Sequence, residues 1–285
     1  MFEIKSMETS FQGQREHMED RYDTFENERF AYFGVYDGHG GSSVSDYLKS
    51  KARNKLLNAL RYSDPVSSLR NAVFELDNEC IRELGSLAKH TGSTLNALIV
   101  DKQINVLYLI NVGDSRSVVY DDSFQVMIET SDHTPRDPRE YKRVGCGGGY
   151  ITHKRTLRVN GNLMMSRAIG DAYLKEPLRP RSLEFCTEFT PRSIAGPVIG
   201  IADVYKFEMR QGKNYVVLGT DGLWDIIGTG RNLGHLLVQQ LPMRNVAKIM
   251  QEEFSEQGLE RKGQRAHDNT TWILVEIENT KNMRI

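Results

Sequence analysis

The sequence predicts an α+β fold built on antiparallel sheets, and three observations support that prediction. Segments rich in β-branched and aromatic residues, which are typical of strands, recur through the middle of the chain. Amphipathic segments typical of helices occur in two main groups, one early in the chain and one late. Strands and helices therefore do not alternate one by one, as they do in chains that form parallel sheets.

Several segments place their apolar residues on one face of a helix. The first follows two candidate N-cap residues, Ser42 and Ser43, and the second follows the helix-start dipeptide Asp64-Pro65. A third begins at Pro138 and ends before a glycine-rich turn at 145–150. The predicted helices cover residues 43–60, 66–88, 138–144, 234–241 and 245–254.

Other apolar segments predict strands. Two of them, 94–101 and 104–111, are separated by a short polar turn, and this spacing predicts an antiparallel hairpin. Two long helices with one apolar face each need a sheet on which to pack. The predicted strands cover residues 29–37, 94–101, 104–113, 116–121, 215–222 and 271–278.

Length and composition restrict the class of protein. The 285 residues have an ordinary globular composition, which predicts a single domain over residues 1–285. The 37 basic and 38 acidic residues give a net charge of −1, so no overall field attracts nucleic acid or an anionic membrane. We find neither a secretory signal pattern nor an apolar run long enough to span a bilayer. We therefore expect a cytoplasmic or nuclear monomer without nucleic-acid or membrane partners.

The three cysteines, Cys80, Cys146 and Cys186, are odd in number and show no Cys-x-x-Cys spacing. That pattern suggests neither a disulfide framework nor a thiolate metal site. The expectation is three reduced thiols.

Acidic residues stand at the ends of several predicted strands. Asp37 ends a strand in the stretch "GVYDGHGG", Glu19 and Asp20 are adjacent, Asp221 follows a strand and Asp268 precedes one. Carboxylates that met in a buried place would repel each other unless a cation neutralised them, and hard oxygen ligands favour Mg²⁺ or Mn²⁺. Asp-Gly pairs are also common in ordinary turns, so the spacing alone leaves open whether these corners meet.

Eight motifs in order resemble the metal-dependent Ser/Thr protein phosphatase family, the type 2C phosphatases. The resemblance covers the chain from about Gly13 to Ile277. It implies a four-layer sandwich, in which two antiparallel sheets pack together and antiparallel helix pairs flank them. It also implies a centre of two Mn²⁺ or Mg²⁺ ions. The motifs are REHMED (15–20), VYDGHGG (35–41), GSTLNALIV (92–100), NVGDSRSVVY (111–120), SDHTPRDPREYKRV (131–144), RVNGNLMMSRAIGD (158–171), TDGLWD (220–225) and DNTTWILV (268–275).

The resemblance implies a role for each acidic corner. Asp37 matches the carboxylate that bridges both ions. Glu19 and the Gly38 carbonyl match the other protein ligands of one ion, and Asp221 and Asp268 match those of the second. Two ions held in this way activate a water that attacks phosphorus directly, so no covalent phosphoenzyme forms.

Further residues match the family outside the two-metal core. Arg15 matches the arginine that binds the substrate phosphate, a role that suits a planar guanidinium. His39 matches the general acid that protonates the leaving alkoxide, and Asp20 an acid that orients bound water. Asp114 matches an acid that holds a weak third ion together with Asp221 in several members. The expected substrates are proteins phosphorylated on serine or threonine.

Two alternatives remain open beside the phosphatase. One is a pseudophosphatase, a binding module that keeps the fold without the chemistry, although such proteins typically lose metal carboxylates that this chain retains. The other is a two-metal phosphoesterase acting on another substrate, such as a nuclease, for which the near-zero net charge offers no support. The segment 178–200 is longer than the family's usual connection, and we expect it to be a surface insertion that bears on substrate choice or regulation.

Overall fold

Two five-stranded antiparallel sheets form the centre of the protein in a computed structural model that describes residues 2–176, 186–240, 245–264 and 266–279. Two smaller sheets lie beside them. The strands are β1 (Phe2–Phe11), β2 (Arg21–Glu26), β3 (Phe30–Tyr36), β4 (Gly38–His39), β5 (Gly92–Ser93), β6 (Leu95–Asp101), β7 (Val106–Val112), β8 (Arg116–Tyr120), β9 (Val126–Glu129), β10 (Ile151–His153), β11 (Leu157–Val159), β12 (Ile169–Gly170), β13 (Asp203–Glu208), β14 (Gly212–Gly219) and β15 (Thr270–Asn279).

Most helices lie on the outer faces of the two large sheets, and the third lies beside β10. Their bounds are α1 (Ser43–Ala59), α2 (Pro65–Leu84), α3 (Pro138–Cys146), α4 (Asp221–Ile227), α5 (Gly230–Gln240), α6 (Val246–Phe254) and α7 (Glu256–Arg261). Within the described residues, no helix has the length and apolar character needed to span a membrane.

The layers follow from the alternation of side chains along each strand. In β6, Ala97 and Ile99 pack with α1 and α2, whereas Leu98 and Val100 face the other large sheet. The sheet of order β1-β15-β14-β8-β9 packs in the same way between its partner sheet and α5 and α6. The result is the expected α+β four-layer sandwich, with apolar side chains between every pair of layers.

Every predicted strand is present, and each is a central strand. The hairpin is confirmed as β6 and β7, which pair antiparallel from Leu95↔Val112 to Asp101↔Val106. The sequence analysis missed the four edge strands, β1 and β9 of one sheet and β13 and β2 of the other. An edge strand has a neighbour on one side only and carries more polar side chains, so its apolar pattern is weaker.

The predicted helices are also present, with changes at their ends. α2 stops at Leu84 instead of residue 88 because Gly85 adopts a φ of 56°, a left-handed value that terminates a helix. Asp64 caps the start of α2 through the backbone N–H of Ser67. Ser42 holds the N-cap position of α1, but its hydroxyl donates to Asp46 and not to the backbone.

The expectation of three reduced thiols is wrong. Cys146 and Cys186 form a disulfide with a Cα–Cα distance of 5.9 Å, although 40 residues separate them in sequence. Cys146 ends α3, and the chain returns to this helix after residue 186, where Arg143 donates to the carbonyls of Gly196 and Pro197. Spacing along the chain gave no sign of this return. Cys80 remains a free, buried thiol.

The segment 178–200 falls partly outside the described residues, since 177–185 are not described. Its second part contains a short 3-10 turn, Pro191–Ile194, and rejoins the fold where the Val198 N–H donates to the Leu174 carbonyl. The role of this segment in substrate choice stays a prediction.

We expect reduction of the disulfide to lower the free energy of unfolding by roughly 2–4 kcal/mol, because the bond closes a loop of 40 residues. Urea unfolding with and without dithiothreitol measures the difference. The Cys146→Ser/Cys186→Ser double variant is the matched control, since reductant should leave its unfolding midpoint unchanged. Three free thiols in unreduced protein, counted by alkylation and mass spectrometry, would contradict the pairing.

Candidate active site

A cavity of about 530 Å³ lies where strands of both large sheets end, and it brings together eight of the nine site residues predicted from the sequence. The ninth, Asp20, is buried behind the cavity, where it accepts a hydrogen bond from the Thr220 hydroxyl at 3.0 Å. The eight that line the cavity are Arg15, Glu19, Asp37, Gly38, His39, Asp114, Asp221 and Asp268.

The strands deliver the acidic residues to one edge of the sandwich. Asp37 directly follows β3, and Asp114 lies in the turn between β7 and β8. Asp221 follows the end of β14, and Asp268 precedes the start of β15, its antiparallel neighbour. The end of one antiparallel strand lies beside the start of the next, which brings Asp221 next to Asp268.

Polar side chains that the sequence analysis did not single out hold the acidic loops in place. The Thr94 hydroxyl accepts from the Asp37 N–H at 3.0 Å, and the Thr94 N–H donates to the Asp37 carbonyl at 2.9 Å. Asn269 accepts from the Glu19 N–H at 2.7 Å and donates to the carbonyls of Gln12 and His17. Asn269 thereby fixes residues 12–19 beside Asp268.

The glycines of "GVYDGHGG" permit a close approach of backbone segments. A Cβ at Gly38 would stand 2.5 Å from the Glu19 carbonyl oxygen and 2.8 Å from the Ser45 hydroxyl. Gly40 has a φ of 69°, which residues with a side chain rarely adopt. Only glycine at position 38 therefore lets the loop after Asp37 lie against the loop that carries Glu19.

The acidic residues are buried close together, and their protonation equilibria reflect it. Burial, opposed by hydroxyl hydrogen bonds and assisted by nearby carboxylates, raises the pKa of Asp20 to about 7. Burial and the charge of Asp221 raise the pKa of Asp114 to about 8 and that of Asp37 well above its usual range. Burial and the charge of Asp268 raise the pKa of Asp221 to about 6. The cavity thus holds more negative charge than its protein surroundings neutralise.

Two observations support a fit to divalent cations. The donors are carboxylate and carbonyl oxygens, which Mg²⁺ and Mn²⁺ prefer. Oδ1 of Asp20 and Oδ1 of Asp114 are buried without a hydrogen-bond partner among the described residues. Across those same residues, however, no three acidic, histidine or cysteine side chains already form a ready-made ligand set. The support for cation binding therefore comes from the oxygen donors of the cavity and from its negative charge, which the surrounding protein groups do not neutralise.

Arg15 currently neutralises one of these carboxylates. Its guanidinium Nη2 lies 2.5 Å from Oδ2 of Asp268, and its side chain is 55% exposed at the mouth of the cavity. This pairing joins a residue predicted to bind phosphate to a residue predicted to bind metal.

His39 has a partner that the sequence analysis missed. Its Nε2 lies 2.7 Å from Oδ2 of the buried Asp171, and the carboxylate can only accept, so Nε2 donates. Nδ1 has no hydrogen-bond partner among the described residues. Burial lowers the pKa of His39, but the charge and hydrogen bond of Asp171 outweigh this and raise it overall. The acidic end of the "RAIGD" motif was the signal available in the sequence.

Residues 158–171 form the opposite wall of the cavity. Arg158 and the run Asn162–Met165 line it. Ser166 and Arg167 both donate to the buried Glu140, which gives them a structural role.

Comparison with known proteins agrees with this arrangement. The sequence profile of the family described as Protein phosphatase 2C matches residues 4–231. Protein phosphatase 1L of Bos taurus is 32% identical over 231 residues, which cover 76% of this chain and 58% of that protein. Probable protein phosphatase 2C 7 of Oryza sativa subsp. japonica is 28% identical over 278 residues, covering 96% of this chain and 66% of that protein.

The chain spans between about half and two thirds of the length of several such relatives, for example 50% of probable protein phosphatase 2C 52 of Oryza sativa subsp. japonica. Among solved structures, a phosphatase from a pathogenic strain of Toxoplasma gondii superposes with a TM-score of 0.75 at 20% identity, covering 95% of this chain and 92% of that one. At that identity the superposition shows a shared fold. The family profile covers most of the chain, and the chain belongs to the protein phosphatase 2C family.

Proposed function

We propose that this protein is a protein serine/threonine phosphatase that depends on Mn²⁺ or Mg²⁺ and hydrolyses its substrate without a covalent phosphoenzyme. The observation that carries the proposal is the cavity in which four candidate carboxylate ligands lie with Arg15 and His39. Family membership supports the same reaction class.

In this proposal two cations are held by oxygen donors at the bottom of the cavity. Glu19 and the Gly38 carbonyl would hold one ion, Asp221 and Asp268 would hold the other, and Asp37 would contribute to both. When bound, the ions supply Lewis-acid charge and lower the pKa of the attacking water. Oδ2 of Asp20 accepts a hydrogen bond from the Thr220 hydroxyl, and Oδ1 is left to accept a hydrogen bond from a water. A weak third ion at Asp114 and Asp221 is part of the same proposal.

Arg15 binds the phosphoryl oxygens. A cation at Asp268 would replace the Arg15 guanidinium as the partner of that carboxylate, and the exposed guanidinium would then be available to the substrate. Metal loading and phosphate binding are therefore linked through one ion pair.

His39 supplies the proton to the leaving seryl or threonyl oxygen. Asp171 fixes the ring through Nε2, which leaves Nδ1, buried and without a hydrogen-bond partner among the described residues, as the remaining nitrogen for proton donation to the substrate. The raised pKa of His39 favours the protonated ring that a general acid needs.

The two alternatives are disfavoured for different reasons. A pseudophosphatase would not need the complete set of carboxylates that the cavity retains. A nuclease would need a basic path for a long anionic strand, whereas the chain has a net charge of −1 and an acidic cavity. A cytoplasmic or nuclear location remains a proposal, and the disulfide argues against it because such bonds are rare in reducing compartments.

Activity should require added Mn²⁺ or Mg²⁺, and excess EDTA should abolish it reversibly, because an all-oxygen site binds these ions with modest affinity. Phosphate release from a phosphothreonine peptide measures this, with DNA and RNA as alternative substrates. Addition of Mn²⁺ to EDTA-treated protein should also raise its melting temperature. Full activity in metal-stripped protein would remove the two-metal centre from the mechanism.

Asp37→Asn should lower kcat by on the order of 10³-fold or more, because it removes a charge shared by both ions. The fold should survive, and the metal-free variant should melt at a higher temperature than the metal-free parent, since one repelling charge is gone. Asp122→Asn, a change in the exposed turn between β8 and β9, is the matched control. Activity near that of the parent at saturating Mn²⁺ would place Asp37 outside the site.

Arg15→Ala should raise KM for a phosphopeptide and weaken inhibition by inorganic phosphate, each by ~10–100-fold, because a charged hydrogen-bonding group to the dianion is lost. Arg15→Lys keeps the charge without the planar fork and should fall between parent and Ala variant. Steady-state kinetics with phosphate as inhibitor separate the cases. An unchanged KM with ordinary phosphate inhibition would leave Arg15 a surface residue.

A further inference from the structure

The β10–β11 hairpin carries positive charge that the fold does not neutralise. Between Glu140 and Asp171 the chain has 30 residues with six bases and no acid, although its net charge is −1. Arg143 and Arg167 are accounted for by the buried Glu140, and Lys142 pairs with Glu188 at 3.0 Å.

The remaining three bases of this stretch, Lys154, Arg155 and Arg158, have no acidic partner among the described residues; we name them the basic hairpin. Lys154 and Arg155 are exposed in the turn between β10 and β11. In the part of the chain that the structure describes, the Arg158 guanidinium donates to the Asn162 carbonyl alone, at 2.5 Å. Bases elsewhere often pair with acids, as Lys55 does with Glu75 and Glu79.

The basic hairpin leads directly into the cavity. Arg158 lines the cavity wall, and Arg155 lies three residues away along the same segment. Three residues of extended chain span about 10 Å, in the hairpin and in a bound peptide alike. A substrate side chain two to four positions from a phosphoresidue in the cavity therefore spans the distance to the exposed turn when the peptide runs along the hairpin.

The negative charge of the cavity lining gives the basic hairpin an effect on which substrates can bind. Carboxylates line the floor, so a substrate rich in acidic residues would be repelled there, while the hairpin above the floor would attract it. The hairpin thus favours substrates whose negative charge lies beside the phosphoresidue.

We propose that the basic hairpin is a substrate-docking surface for acidic side chains, or a second phosphate, placed two to four residues from the phosphorylated serine or threonine. The inference rests on the proposed phosphatase function and adds the class of substrate to it. Exposed charge pairs contribute modestly, so the preference is a moderate one that salt weakens.

The test compares phosphothreonine peptides that differ only at the flanking positions, where they carry Glu, phosphoserine, Gln or Lys, placed before or after the phosphoresidue. At low salt, kcat/KM should be about 2- to 30-fold higher for the Glu peptide than for the Gln peptide, lower still for Lys, and the differences should shrink at high salt. A gain with phosphoserine but not with Glu would assign the hairpin to doubly phosphorylated substrates.

Lys154→Gln/Arg155→Gln should abolish the preference for Glu over Gln and leave turnover of p-nitrophenyl phosphate, which has no flanking residues, unchanged. The matched control, Arg61→Gln/Arg70→Gln, removes two exposed bases at the junction of α1 and α2. α1 has 17 residues, so this junction is about 25 Å from the helix start near the cavity. The control should keep the full preference.

Equal kcat/KM on the Glu, phosphoserine and Gln peptides in the parent protein, or equal loss of the preference in the control, would overturn the proposal. Absence of metal-dependent p-nitrophenyl phosphate hydrolysis would instead overturn the phosphatase function. Peptide binding measured by fluorescence anisotropy still tests the hairpin in that case, since tighter binding of the Glu peptide needs no turnover. Tighter binding of single-stranded RNA than of any peptide would also count against a peptide-docking role.

Discussion

Mutual repulsion among buried carboxylates is the constraint on which this structure depends. Asp37, Asp114 and Asp221 line one cavity with raised pKa values because burial and neighbouring negative charge both penalise their ionised forms. Hydrogen bonds hold the carboxylates in place against this repulsion. Hydroxyls of Thr94 and Thr220 bond the loops and side chains of this cluster. A cluster of buried carboxylates with raised pKa values is typical of a functional site.

The sequence was most informative where a strand is buried on both faces and paired on both edges. β6 and β7 are fully buried and mainly apolar, and the sequence predicts both with nearly their observed bounds. β1 and β2 were missed because each has one neighbouring strand and one open edge, so that polar side chains interrupt the pattern. An apolar run in the sequence therefore predicts a strand that is buried on both faces. An edge strand is recognised only once the structure shows the strand with which it pairs.

The candidate site shows a similar difference between residues that are close in the sequence and residues that only the fold brings together. Residues that belong to contiguous motifs, such as Asp37 and His39 within one glycine-rich stretch, could be named from the sequence. Their partners could not, because Asp171 is 132 residues from His39 in the chain and comes to it through the pairing of β12 with β5. The disulfide escaped prediction for the same reason, since it depends on the return of the chain to α3.

Glu140 on α3 has a consequence for how this protein could diverge. Burial raises the pKa of Glu140, but the charges of Arg143 and Arg167 outweigh it and hold that pKa well below its usual range. The cluster pins the polypeptide on both sides of the β10–β11 hairpin. Between these two anchors, the exposed turn residues Lys154 and Arg155 belong neither to the cavity lining nor to the buried core, whereas Arg158 and Asn162–Met165 line the cavity. The exposed turn can thus change its surface chemistry while the residues that line the cavity keep their positions.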